Sequence, residues 1–99
     1  MTSSNSSDKP VGVIGAGNFG TVIANMLAQN RQVLLYARNS EDVHRINVTR
    51  QNRGYKVHEH VEAVNSFDRI GEECEVIFPM VPSSHFREMM KQLAPHLHP

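Results

Sequence analysis

Ten residues near the start, Val11-Gly-Val-Ile-Gly-Ala-Gly-Asn-Phe-Gly20, constrain the fold more than any other stretch. Val11, Val13 and Ile14 are β-branched and apolar, which reads as a short strand buried on both faces. Gly15, Gly17 and Gly20 follow at G-x-G-x-x-G spacing. Phe19, Ile23, Met26 and Leu27 then recur at helical spacing and are expected to form the inner face of a helix. The order is therefore strand, glycine turn, helix.

That order gives each glycine a physical task. Gly15 lets the chain leave the strand in a tight turn through Ala16. Gly17 lacks a Cβ, so a pyrophosphate can approach the backbone. Gly20 lets the helix pack closely on the strand. The first N–H groups of the helix, at the positive end of its dipole, then face the phosphates. The same spacing also occurs in glycine turns that only pack. The strand before it and the helix after it favour dinucleotide binding.

Ninety-nine residues allow one small domain, too few for both halves of a doubly wound dinucleotide fold. The formal net charge is zero, which leaves no electrostatic case for nucleic acid or an anionic membrane. No stretch is long and apolar enough to span a bilayer. Residues 1–10 begin with a small, polar, aperiodic run and read as a disordered leader. The single Cys74 excludes an intramolecular disulfide and fits a reducing compartment. Asn47-Val48-Thr49 matches the glycosylation pattern, which without a secretory signal is read as chance.

Val33, Leu34, Leu35 and Tyr36 predict a second buried strand, joined to the first by a right-handed crossover. Ser40 is expected to cap a second helix over about Glu41 to Gln51, which Asn52-Arg53-Gly54 breaks. About His60 to Val64 reads as a short edge strand, and Ser66 to Glu73 as a helical turn. Val76, Ile77, Phe78, Met80 and Val81 form a third strand interrupted by Pro79 and stopped by Pro82. A last helix follows, with Phe86, Met89, Met90, Leu93, Ala94 and Leu97 on one face and its end near Ala94. The expected fold is α/β: the amino-terminal half of a Rossmann-type, doubly wound parallel sheet over residues 11–99. Its predicted spatial order is short strand, second, first, third.

The tip of the second strand bears on the choice of cofactor. An NAD site usually carries Asp or Glu there, about 20 residues past the glycines, to hold the ribose 2′-OH. Arg38 and Asn39 occupy it instead. Arginine pairs with a 2′-phosphate, or stacks on adenine and tolerates both cofactors, so NADP is preferred and NAD accepted. A solvated surface arginine is the alternative. Val81 and Pro82, at the carboxyl end of the third strand, are expected to line the cofactor crevice. His58 with His60, and His96 with His98, lack the partners of a metal site; His85 reads as a surface or capping residue. No residue is placed as a catalytic acid, base or nucleophile. Glu72, Glu73 and Glu75 around Cys74 would raise its pKa and leave it unreactive.

With these elements placed, the chain resembles the amino-terminal part of bacterial NAD(P)-dependent glycerol-3-phosphate dehydrogenases. The stretches that carry the resemblance are Gly15-Ala-Gly-Asn-Phe-Gly-Thr21 with Ile23-Ala24, Val33-Leu-Leu-Tyr-Ala-Arg38, Ile46-Asn47, Asn52 and Tyr55. Val76-Ile77-Phe78 and Val81-Pro82-Ser83 with Phe86-Arg87 complete them. The glycine motif alone also fits 6-phosphogluconate, hydroxyacyl-CoA and ketopantoate enzymes. The resemblance implies cofactor contacts at Asn18, Phe19, Arg38, Asn39 and Tyr55. It also implies an enzyme that reduces dihydroxyacetone phosphate to sn-glycerol 3-phosphate with NAD(P)H, in the bacterial cytoplasm, for phospholipid synthesis. A homodimer is compatible with it. Tyr55-Lys56-Val57-His58 departs from the family's Tyr-Leu-Pro-Gly, and Pro79 is unusual. The family's catalytic lysine and substrate domain would lie beyond Pro99, so the chain is expected to be an inactive cofactor half-site. The other readings are the cofactor domain of a different 6-phosphogluconate-dehydrogenase-like oxidoreductase, or a non-catalytic NAD(P)-sensing module.

Overall fold

The β-branched run at the start forms β1 (Val11–Ile14), which leads through the glycine turn into α1 (Asn18–Ala28). The second apolar run forms β2 (Val33–Tyr36), which leads into α2 (Ser40–Thr49). A hairpin of β3 (Gln51–Asn52) and β4 (Tyr55–Lys56) precedes β5 (Val61–Val64) and α3 (Phe67–Glu73). Then come β6 (Val76–Pro79), α4 (Ser83–Leu93) and a 3-10 turn over Ala94–His96. This is a computed structural model that describes residues 9–80 and 83–96.

Four strands make one parallel sheet in the order β5-β2-β1-β6, the predicted arrangement. Alternation along the strands divides the apolar side chains between two layers. Val13, Val33, Leu35, Val61 and Ala63 pack with Ala24 and Ala28 of α1 and Ile46 of α2. Ile14, Leu34 and Val64 pack with Ile70 of α3 and Leu93 of α4. Helices on both faces make the sheet doubly wound. Pro79 closes β6 opposite Ile14, and the next residue, Met80, donates its N–H to the Ile14 carbonyl at 2.7 Å. Alternation turns the donor that Pro79 lacks away from β1.

Polar side chains of α2 attend to the outer side of β5. Asn47 donates to the Ala63 carbonyl at 2.9 Å and accepts from the Ala63 N–H at 2.8 Å. Arg50 donates to the Val61 carbonyl at 2.7 Å and also to that of His58.

The structure corrects the sequence reading at four places. The inner face of α1 is Gly20, Thr21, Ala24 and Ala28, while Phe19 and Met26 stand 68% and 59% exposed. Ile23 and Leu27 pack against the core from partly buried positions, as expected, and small residues take the fully buried positions where α1 comes closest to the sheet. Asn39, not Ser40, caps α2, accepting from the Glu41 N–H at 2.7 Å. That helix ends at Thr49 with Arg50 in the left-handed region (φ 58°), short of Gln51. The segment around Arg53-Gly54 is a paired hairpin rather than only a break. Both turn residues have positive φ, 55° and 81°, the combination that tight hairpin turns need.

Candidate functional site

Successive strand-to-helix turns meet at the carboxyl edge of the sheet, and the first is built from backbone. Gly15 turns the chain at φ 115° and donates its N–H to the Tyr36 carbonyl at 3.1 Å, fastening the turn to β2. A Cβ on Gly20 would fall 1.9 Å from the Gly15 carbonyl oxygen, so only glycine lets α1 sit this low. A Cβ on Gly17 would meet nothing within 4 Å. Gly17 is the residue before α1; no side chain caps that helix, and its first turn holds no acid. Asn18 and Phe19, the next two residues, are exposed. The result is an open, uncapped helix start beside a bare backbone.

The second turn lies beside the first, because Ile14 pairs with Tyr36. Ala37 is buried, and Arg38 and Asn39 behind it are exposed. Tyr36 stacks on Phe67 with ring centroids 4.2 Å apart. Burial raises the Tyr36 phenol above its ordinary pKa, and the charge of nearby Arg38 opposes the rise. The Asn39 side-chain oxygen is engaged as the cap of α2. Val81 and Pro82 lie outside the described residues. Met80, just before them, is bonded to β1 across the same edge.

The hairpin reaches this edge through Asn52. Tyr55 on β4 is 42% exposed. Its partner Asn52 is 3% exposed and donates to the Ala16 carbonyl at 2.9 Å and the Thr21 hydroxyl at 2.8 Å. Asn25 of α1 binds the same segment, donating to the Lys56 carbonyl and accepting from the His58 N–H. Site reasoning from the sequence left out Asn52 and Thr21. Their partners are set by tertiary structure, and no local periodicity marks a buried amide.

The Cys74 thiol is pushed up to about 11, by burial first and by the Glu73 charge second, so desolvation outweighs the acidic neighbours the sequence suggested. His60 contacts the Ala28 carbonyl through Nδ1 at 2.9 Å, and its N–H donates to His58 Nδ1 at 3.0 Å. Among the described residues, no group of three or more His, Cys, Asp or Glu could hold a metal ion. Among them, too, no helix is long and apolar enough to cross a membrane.

Comparison with known proteins agrees with this geometry. The family model described as NAD-dependent glycerol-3-phosphate dehydrogenase N-terminus matches residues 10–99. Glycerol-3-phosphate dehydrogenase [NAD(P)+] of Pseudomonas savastanoi pv. phaseolicola is 44% identical over 94 residues, covering 90% of this chain and 27% of the relative. The chain thus spans about a quarter of the length of such relatives. The crystal structure of glycerol-3-phosphate dehydrogenase from Coxiella burnetii superposes with a TM-score of 0.80 at 26% identity, over 92% of this chain and 30% of that one. Glycerol-3-phosphate dehydrogenase from Saccharomyces cerevisiae shares the fold, with a TM-score of 0.81 at 21% identity over 91% of this chain and 31% of its own. The chain belongs to the NAD-dependent glycerol-3-phosphate dehydrogenase family and corresponds to its amino-terminal, NAD-binding domain.

Proposed function

We propose that the carboxyl edge of the sheet seats NAD or NADP with its pyrophosphate over Gly15-Ala16-Gly17 and against the N–H groups of Asn18 and Phe19. One observation carries this reading: the Cβ direction at Gly17 is open where α1 starts without a cap or an acid. A phosphate supplies what that helix end lacks, acceptor oxygens and negative charge. Gly20 serves the site by holding the helix close. Arg38 takes the adenosine end and favours NADP through the 2′-phosphate, with Asn39 and Tyr55 beside it. Val81 and Pro82 are assigned backbone and apolar contacts to the coenzyme.

When bound, the coenzyme supplies the hydride. The whole protein would thereby reduce dihydroxyacetone phosphate to sn-glycerol 3-phosphate, a precursor for phospholipids. On this reading the catalytic lysine is not among these residues. The 99 residues alone therefore bind coenzyme without turnover.

Titrating NADPH and NADH into the chain and its Arg38→Ala variant tests the site. A larger loss for NADPH is expected, and equal losses overturn the 2′-phosphate role. A longer polypeptide containing this domain is expected to oxidise NADPH only when dihydroxyacetone phosphate is present. Turnover with a different keto compound alone overturns the substrate.

A further inference from the structure

We infer that Asn52, acting with Thr21, is a positioning residue for the coenzyme: it sets the direction of the Gly17 and Asn18 N–H groups, where the glycine loop enters the proposed pyrophosphate seat. The inference rests on the coenzyme site proposed above.

Both side chains are buried, Thr21 at 0% and Asn52 at 3% exposure. Arg45 donates to the Asn52 side-chain oxygen at 2.8 Å. A guanidinium cannot accept, so that bond leaves the amide nitrogen facing the glycine loop. The nitrogen donates to the Ala16 carbonyl and to the Thr21 hydroxyl oxygen. The hydroxyl passes its own hydrogen to the Gly17 carbonyl at 2.7 Å, which also accepts the Thr21 N–H at 3.0 Å. Donors and acceptors run in one sense, from Arg45 to the loop. Asp42, 2.6 Å from Arg45, anchors the outer end.

The consequence follows from peptide geometry. The chain has no cis peptide bond among its described residues. In a trans peptide the C=O and the next N–H point in opposite directions. Holding the Ala16 carbonyl toward the hairpin therefore aims the Gly17 N–H away from it. Holding the Gly17 carbonyl into the first turn of α1 aims the Asn18 N–H out of the helix end. Glycine at 15 and 17 leaves this backbone soft, and Asn52 and Thr21 replace the missing stiffness. Asn52 thus sets the loop's shape without itself touching ligand, and binding is stronger for a loop already ordered.

The test compares Asn52→Ala and Thr21→Val with the unaltered chain. NADH and NADPH affinities are read from nicotinamide fluorescence, and amide exchange is read residue by residue. Asn52→Ala is expected to weaken both coenzymes about tenfold, and Thr21→Val about threefold. The ratio between the two coenzymes should stay constant. Exchange should quicken at Thr21, whose N–H is bonded to the Gly17 carbonyl, but not in β2. If only hairpin amides such as Val57 quicken and both coenzymes bind as before, Asn52 merely fastens the hairpin and the inference fails. If Asn52→Ala does not fold, Thr21→Val decides, because it removes one hydroxyl at constant shape. If the unaltered chain binds neither coenzyme, the proposed site fails first, and the inference with it.

Discussion

α1 and α2 leave the same edge of the sheet from neighbouring strands, yet they begin in opposite ways. α2 starts behind Asn39, whose side chain caps it, and carries Glu41 and Asp42 in its first turn. α1 starts behind Gly17, with no side-chain cap and no acid. α3 follows the pattern of α2, with Ser66 as cap and Asp68 in the first turn. Each capped helix finds within itself the acceptor and the negative charge its dipole favours. α1 has neither, and the proposed coenzyme site assigns both to an outside anion, which is how a stability rule set aside at one helix points to function.

Four substitutions break or sharpen this contrast. Gly20→Ala has the largest expected effect, because its Cβ would fall on the Gly15 carbonyl oxygen, which belongs to the backbone and cannot swing aside. We expect a loss of at least about 3 kcal/mol in urea denaturation. Gly17→Asn gives α1 the kind of cap α2 has, in open space and at an ordinary φ of −82°. Its urea midpoint should hold or rise slightly while coenzyme affinity falls about tenfold, roughly 1.4 kcal/mol. Unchanged affinity would mean that the bare start of α1 is not an anion seat. Asn39→Ala should cost about 1 kcal/mol of stability through the lost cap of α2. Glu41→Gln, the smallest, should cost about 0.3 kcal/mol at low salt and less as salt is added.

The same contrast explains what could be read in advance. β1, β2, β5 and their order were legible because short apolar runs between turn residues carry the strand signal locally. The turn at Gly15 and the close approach at Gly20 were legible because the glycine spacing marks them. The inner face of α1 was legible only in part, at Ile23 and Leu27. Phe19 and Met26 are the bulky members of a helical stripe, whereas the buried positions hold Gly20, Thr21, Ala24 and Ala28, whose small size lets the helix close on the sheet. The hairpin escaped notice because two-residue strands have no period to detect. Asn52 escaped because its partners Ala16 and Thr21 lie in a different supersecondary unit, and only the folded chain brings them within reach.

The bonds from Asn47 and Arg50 to β5 have a consequence for assembly. Ala63 already exchanges both backbone bonds with the Asn47 amide, which acts as a one-residue imitation of a neighbouring strand, and Arg50 occupies the Val61 carbonyl. A foreign β-segment therefore cannot zip onto that flank without first stripping α2 of its contacts. Growth of the sheet is polarised: additional strands have to enter past β6, and the β5 border is finished. An oligosaccharide on the Asn47 nitrogen would demand the same rupture, so the acceptor tripeptide there is sterically committed elsewhere.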